Sequence, residues 1–280
     1  MSEVTYPENC VKVLDKGFVR LVDVMGDDKS IVDAARVSYG KGTKTINEDI
    51  GLIRYLMRHQ HTTPFEMVEF KFHCRMPIFV ARQWIRHRTA SVNEMSGRYS
   101  EMPDMFYVPT EDKVTKQSTL NKQGGSQEIT DDAKFWSIYF ETEQRNIHSS
   151  YKKAIDSGMR KELARINLPL SQYTEWYWKI DLKNLLHFLK LRLDSHAQYE
   201  IQVFGQAMAE MVKQYVPITW QAFEDYMLNN VNLSALDIKA IQLLATDALT
   251  EQEKETELNE IFVNKRERQE FTDKIKKLNI

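Results

Sequence analysis

From Glu66 to Met76 apolar and polar residues alternate almost without fault, Val68, Phe70, Phe72 and Cys74 on one face and Glu69, Lys71, His73 and Arg75 on the other. A period of two predicts a half-buried strand. Pro77 suits the first turn of a helix, and a stripe of Ile78, Ala81, Trp84 and Ile85 would pin that helix to the sheet. Its opposite face carries Arg82, Gln83, Arg86 and His87; the last three stand three and four apart and so converge on one patch. Upstream, Lys12 to Leu14 and Phe18 to Met25 read as a strand pair. Asp28 can cap a helix through Ile31, Ala34, Ala35 and Val37, Gly40 to Thr45 reads as a loop, and a second helix from about Asn47 turns Ile50, Ile53, Leu56 and Met57 inward.

Downstream the pattern predicts mostly helix. Met105 to Val108 reads as a short strand, and the polar residues 111 to 130, with Gly124-Gly125 at their middle, as a mobile surface loop. Thr130 to Asp132 open a long helix with Phe135, Ile138, Tyr139, Ile147, Tyr151 and Ala154 inward, closed by Gly158. Glu162 to Ile166, including Arg165, makes a helical turn, and Tyr173 to Lys179 a strand. Residues 181 to 193 carry the stripe Leu182, Leu185, Leu186, Leu189 and Leu193, with Arg192 off it; Asp194-Ser195 read as a break and a new N-cap. Helices over about 196 to 215 and 218 to 228 follow, split by Pro217. Ser234 to Asp237 then resembles a capping box, followed by highly charged helices with Leu236, Ile241, Leu244, Leu258, Ile261, Phe262, Phe271, Ile275 and Leu278 as apolar positions. The chain therefore divides into a body, residues 1–230, and a charged helical extension, residues 231–280.

Composition narrows the function. With 38 basic and 40 acidic residues in 280, the formal charge of −2 disfavours nucleic acid as a partner. No apolar run approaches the roughly 20 residues of a membrane span, and the start lacks the pattern of a signal peptide, so a cytoplasmic protein with no membrane association is expected. Cys10 and Cys74 are too few and too far apart for a disulfide framework or a zinc site. His59 and His61 have no Cys or acidic cluster at ligand spacing, and no metal is expected.

Against this background Arg86 to Arg98 stands out: three arginines, a histidine, a carboxylate, two serines and an amide in thirteen residues. Guanidinium forks match phosphate and carboxylate oxygens two at a time, so the stretch reads as a cradle for an anionic small molecule, against the plainer reading of a solvated basic loop. Arg86-His87-Arg88, Ser91, Asn93-Glu94, Ser96 and Arg98 fill every fixed position of a long signature, and in it the sequence resembles the flavin-dependent thymidylate synthases. The likeness extends over roughly residues 11 to 228, through Asp15 to Val19, His61, Thr63 to Glu66, Pro77 to Trp84, Ala164-Arg165, Leu168 to Leu170, Leu191-Arg192 and Asp194 to Gln198.

The resemblance implies reductive methylation of dUMP to dTMP, with methylenetetrahydrofolate as one-carbon donor and NADPH-reduced FAD as hydride source. It implies a homotetramer with sites shared between subunits. Gln83, Arg86, Ser96, Gly97, Arg98 and Arg165 would be dUMP ligands, with Ser96 and Arg98 at the phosphate, and Glu94 would stand between nucleotide and flavin. Arg192 would favour the ionised pyrimidine, the catalytic role; the plainer reading is a helix C-cap. Thr63, Arg86, His87, Arg88, Asp181, Lys183 and His187 fall at FAD positions, and His61, Thr63 and Glu66 near flavin and folate. Asp181 and Lys183 depart from the asparagine and arginine common there, and lysine keeps the charge but loses the fork. No Gly-x-Gly-x-x-Gly fingerprint occurs, so FAD would not sit in a Rossmann crevice. The fold expected is an α/β fold of the α+β type, a central, largely antiparallel sheet flanked by helices. A nucleotide-binding protein without catalysis and an RNA-binding module are the rival readings, the latter disfavoured by charge.

Overall fold

The structure is a computed structural model that describes residues 4–37, 46–118, 124–246 and 248–278; the expected loop at Gly40 to Thr45 lies outside them. The chain forms two compact units, residues 1–227 and 228–280. In the first, strands β1 (Val11–Val13), β2 (Gly17–Met25), β3 (Glu69–Pro77), β4 (Ala90–Glu94) and β7 (Tyr173–Asp181) form one antiparallel sheet in the order β1-β2-β3-β7-β4. The alternation that predicts β3 is realised in its packing: Phe70, Phe72 and Cys74 are fully buried and face Ile180, Trp178 and Trp176 across the β3–β7 pair. The opposite face is polar, where His73 stacks on Tyr177 (4.6 Å) and shares Glu175 with Arg75 at 2.6 and 2.9 Å.

Helices α1 (Asp28–Arg36), α2 (Ile46–Arg58), α3 (Ile78–Trp84), α6 (Leu182–Arg192), α7 (Tyr199–Tyr215) and α8 (Pro217–Phe223) surround the sheet in sequence. Trp84 is the hub: its ring meets Trp176 and Trp178 of β7 at 5.3 Å, stacks on Phe188 of α6 at 5.1 Å and meets Phe204 of α7 at 5.8 Å. The buried stripe of α3 is Val80, Ala81 and Trp84, and Ile85 is exposed, because the helix ends at Trp84 before Ile85 can turn inward. Asp27, not Asp28, caps α1, in a capping box with Ser30. Asp28 is buried and accepts from the backbone N–H of Ile218 and Thr219 and from the Thr219 hydroxyl, holding the start of α8. Likewise α7 begins at Tyr199 with Gln198 as its N-cap rather than at Asp194-Ser195.

Residues 111 to 130 are not a bare loop. They contain a 3₁₀ turn, Glu111–Lys113, and a two-stranded hairpin of β5 (Thr115–Gln117) and β6 (Gly125–Ile129). Backbone pairing needs no apolar side chain, so a polar hairpin leaves no periodic signal. The expected strand at Met105 to Val108 reduces to a single bridge between Phe106 and Gln172. Helix α4 (Ala133–Asp156) forms as expected and Gly158 follows its end at φ +88°, but Phe135, Ile138 and Tyr139 lie exposed rather than inward. A short helix α5 (Lys161–Ala164) and a 3₁₀ turn, Arg165–Asn167, lead to β7.

The second unit is three helices, α9 (Ala235–Leu244), α10 (Glu251–Ile261) and α11 (Lys265–Leu278), around Ala240, Leu258, Phe262 and Phe271. The capping box of Ser234 and Asp237 is present, whereas Leu236 and Leu278 are exposed. Among the described residues no helix is long and apolar enough to cross a membrane.

Candidate active site

Because α3 stops at Trp84, with Ile85 as C-cap, Arg86, His87 and Arg88 lie past the helix rather than on it. The residues after them are not a loop: Ala90–Glu94 is β4, the sheet edge, paired from Ala90↔Ile180 to Glu94↔Trp176. This edge strand is too short for its alternation, half-buried Ala90 and Val92 against exposed Ser91 and Asn93, to stand out, and its polar side chains protect its unpaired side from further strand addition.

The first cluster gathers around Arg192, at the end of α6. Its Nη2 donates to His87 Nε2 at 3.1 Å and to the Gln83 carbonyl at 3.4 Å, while its Nε is buried without a partner. Burial lowers the pKa of this guanidinium. His87 is lowered to about 4, first by burial, then by the charges of Arg192 and His187, so at neutral pH it is an uncharged acceptor. Its ring lies 4.9 Å from Phe188 and 6.0 Å from His187. Gln83 adds its side chain to this group, its Nε2 donating to Gln198 Oε1. Arg192 does end its helix, but the guanidinium is turned onto His87 rather than left as a solvated cap.

The second cluster lies on the far side of the signature. A Cβ on Gly97 would meet Met102 Sδ at 2.8 Å and Arg165 Cδ at 3.0 Å, so glycine here lets Arg165 lie flat on the backbone. Ser96 Oγ accepts from the Arg98 N–H at 3.3 Å, and Arg98 Nε donates to Glu162 at 3.0 Å. Glu94, between the clusters along the chain, is held by the Thr174 hydroxyl at 2.5 Å.

The third group surrounds the start of α6. Asp181 is its N-cap: Oδ1 accepts from the Asn184 N–H at 2.9 Å and Oδ2 from its side-chain amide at 2.7 Å. Lys183 Nζ reaches Asn184 Oδ1 at 3.1 Å, and the 3₁₀ turn Thr63–Met67 packs against α6, with the Val68 carbonyl after it accepting from the Leu182 N–H at 2.7 Å. This places Glu66 in a turn, not in the strand. Arg86, Arg88, Thr63 and His187 are exposed, and the two arginines have no ion pair among the described residues. Exposed guanidinium groups and a lysine at a helix N-terminus fit an anionic dinucleotide, and the Asp181 carboxylate beside them is engaged in its cap. Sequence reading missed Glu162, Thr174, Asn184 and Glu200 as partners and had Gln198 only within the family likeness, since the relevance of each comes from a contact 2 to 115 positions away.

A family model described as thymidylate synthase complementing protein matches residues 20–218. The flavin-dependent thymidylate synthase of Ehrlichia ruminantium (strain Gardel) is 52% identical over 245 residues, 87% of this chain and 82% of that protein. That of Wolbachia pipientis wMel is 53% identical over 245 residues, 87% and 86% of the two chains, and that of Thermus thermophilus 53% over 241, 86% and 88%. Among solved structures, the UMP/dUMP methylase PolB from Streptomyces cacaoi bound with 5-Br dUMP superposes with a TM-score of 0.70 at 34% identity, covering 78% of this chain and 99% of that one. With the family model matching residues 20–218, half its residues shared with such relatives over most of its length and the fold shared with a solved dUMP methylase, the chain belongs to the flavin-dependent thymidylate synthase family.

Proposed function

We propose that this protein makes dTMP by reductive methylation of dUMP. The observation that carries the reading is Arg192: a half-buried guanidinium oriented by a neutral histidine, with donors unspent. Placed against the uracil ring, such a cation stabilises negative charge as it develops there, the electrostatic counterpart of an oxyanion hole, and does so more strongly for being partly desolvated. A thiolate route finds no support, because Cys74 is sealed in the core and burial pushes its thiol well above the usual range. Arg98, Ser96 and Arg165 bind the phosphate and its surroundings, with Gln83 and Arg86 on the rest of the nucleotide. Glu94, anchored by Thr174, separates nucleotide from cofactor. Arg86, His87, Arg88, Thr63, Lys183 and His187 would hold FAD, which when bound and reduced by NADPH would supply the hydride, with methylenetetrahydrofolate as the one-carbon donor. The clusters are open on one copy, and the exposed aromatic face of α4 is the surface on which copies assemble into a homotetramer that completes the sites. Two unpaired cysteines suit the reducing cytoplasm. The visible spectrum of purified protein is the direct test: flavin bands and NADPH-dependent dTMP formation are expected. A colourless protein that also fails to take up added FAD would overturn the reading.

A further inference from the structure

Three residues outside the assigned site join it by a chain of hydrogen bonds. Tyr107 donates its hydroxyl to Glu200 Oε1 at 3.2 Å, Gln198 Nε2 donates to Glu200 Oε2 at 2.8 Å, and Gln83 Nε2 donates to Gln198 Oε1. A side-chain amide has a donor end and an acceptor end of nearly equal shape, so its orientation follows from its partners. An ionised carboxylate only accepts. Glu200 therefore turns the NH₂ of Gln198 toward itself and the carbonyl toward Gln83, which in turn commits the NH₂ of Gln83 to Gln198. Tyr107 secures the other carboxylate oxygen, and its own hydroxyl stays protonated and donating, since burial first and Glu200 next hold its pKa well above the phenol range.

We propose that Glu200, acting through Gln198, is a positioning residue that sets the polarity of Gln83, so that Gln83 presents a carbonyl acceptor to the nucleotide. This rests on the reading of Gln83 as a dUMP ligand. Gln83 stands one turn before His87 and its backbone carbonyl accepts from Arg192, so the amide adjoins the cluster that would meet the pyrimidine. The ligand it selects is one offering an N–H or O–H at that point. A deoxyuridine nucleotide has two such groups, the ring N3–H and the sugar 3′-hydroxyl.

Calorimetric titration of the FAD-loaded protein with dUMP, 3-N-methyl-dUMP and 2′,3′-dideoxyuridine monophosphate tests this. Glu200→Gln, which keeps shape but allows the chain to reverse, should weaken dUMP binding about fivefold to tenfold, as loss of one neutral hydrogen bond does. Gln83→Leu should show a similar loss. Whichever analogue lacks the contacted donor should bind the wild type and Glu200→Gln alike, which assigns the group. The exchange Gln83→Glu combined with Glu200→Gln moves the acceptor-only end of the chain to the other side and should restore dUMP affinity, an outcome that a merely structural role of Glu200 does not give. Should Glu200→Gln fail to fold, Gln198→Met cuts the relay at an exposed position and should reproduce the loss. Wild-type affinity in Glu200→Gln or Gln198→Met, with Gln83→Leu weakened, overturns the relay and leaves Gln83 as a ligand. Wild-type affinity in Gln83→Leu instead removes Gln83 from the site.

Discussion

At the scale of single residues, the pair of His87 and Arg192 carries a pH signature. A histidine lowered from 6.5 to about 4 is neutral in the folded protein where the unfolded chain already binds a proton. As pH falls from 6.5 toward 4 the unfolded state is thus favoured progressively, and below about 4 the penalty is complete. Thermal denaturation from pH 7.5 to 3.5 should show wild type losing more stability across that window than His87→Asn, which has no proton to gain. A wild-type minus variant difference that stays flat with pH would show that His87 is not held neutral. The cysteines give the complementary residue-scale expectation. The double variant of Cys10→Ala and Cys74→Ala should still form dTMP, with Cys74→Ala costing about 1 kcal/mol of stability for trimming a small core side chain. A folded, flavin-loaded double variant without turnover would mean that ring activation is covalent and that Arg192 has been given the wrong role.

At the scale of elements, Trp84 ties the site to the core. It ends α3 two residues before the Arg86-His87-Arg88 run and packs on β7, α6 and α7 together, so truncating it removes contacts to three elements at once. Trp84→Ala should cost about 3 to 5 kcal/mol in denaturant titration and reduce flavin retention in parallel. A large stability loss with full flavin retention would show that the site does not depend on this anchor. What sequence could reveal follows the same division. The alternation of β3, the leucine stripe of α6 and the capping box at Ser234 were legible because each records burial or backbone capping at a fixed spacing. The strand β4 and the β5–β6 hairpin were not, since their pairing is made by backbone groups while their side chains are mostly polar and the strands only three to five residues long. Phe135, Ile138 and Tyr139 have helical spacing, and an apolar stripe says that something is to cover it without saying whether the cover is this chain's own core. Arg98, Gly97 and Arg165 were readable as a group only by resemblance; that Gly97 makes room for Arg165 needed the packing itself.

At the scale of the whole molecule, α4 and the second unit make separate predictions. Phe135, Trp136, Ile138, Tyr139 and Phe140 are all at least 40% exposed, a contiguous aromatic surface that a lone soluble chain rarely leaves to water. Tyr139→Glu should shift the native mass, read by light scattering, from that of the proposed tetramer to smaller species and lower turnover with it; a mass unchanged from wild type would place the assembly surface elsewhere. The second unit brings its own core, and its own ion pair, whose carboxylate is buried. Asp237, which burial alone would raise, is instead held below the ordinary carboxyl range by Lys274 at 2.5 Å and by the Ser234 N–H and hydroxyl. One carboxylate thereby caps α9 and ties it to α11. Every residue given a role in binding or chemistry lies in residues 1–227, from His61 to Glu200. A chain ended after residue 230 should therefore keep its flavin spectrum, its affinity for dUMP and its NADPH-dependent turnover, and lose only the heat absorbed on unfolding the three helices. If the truncated protein is soluble, assembled as the full chain is and flavin-loaded, yet makes no dTMP, residues 231–280 take part in the reaction itself.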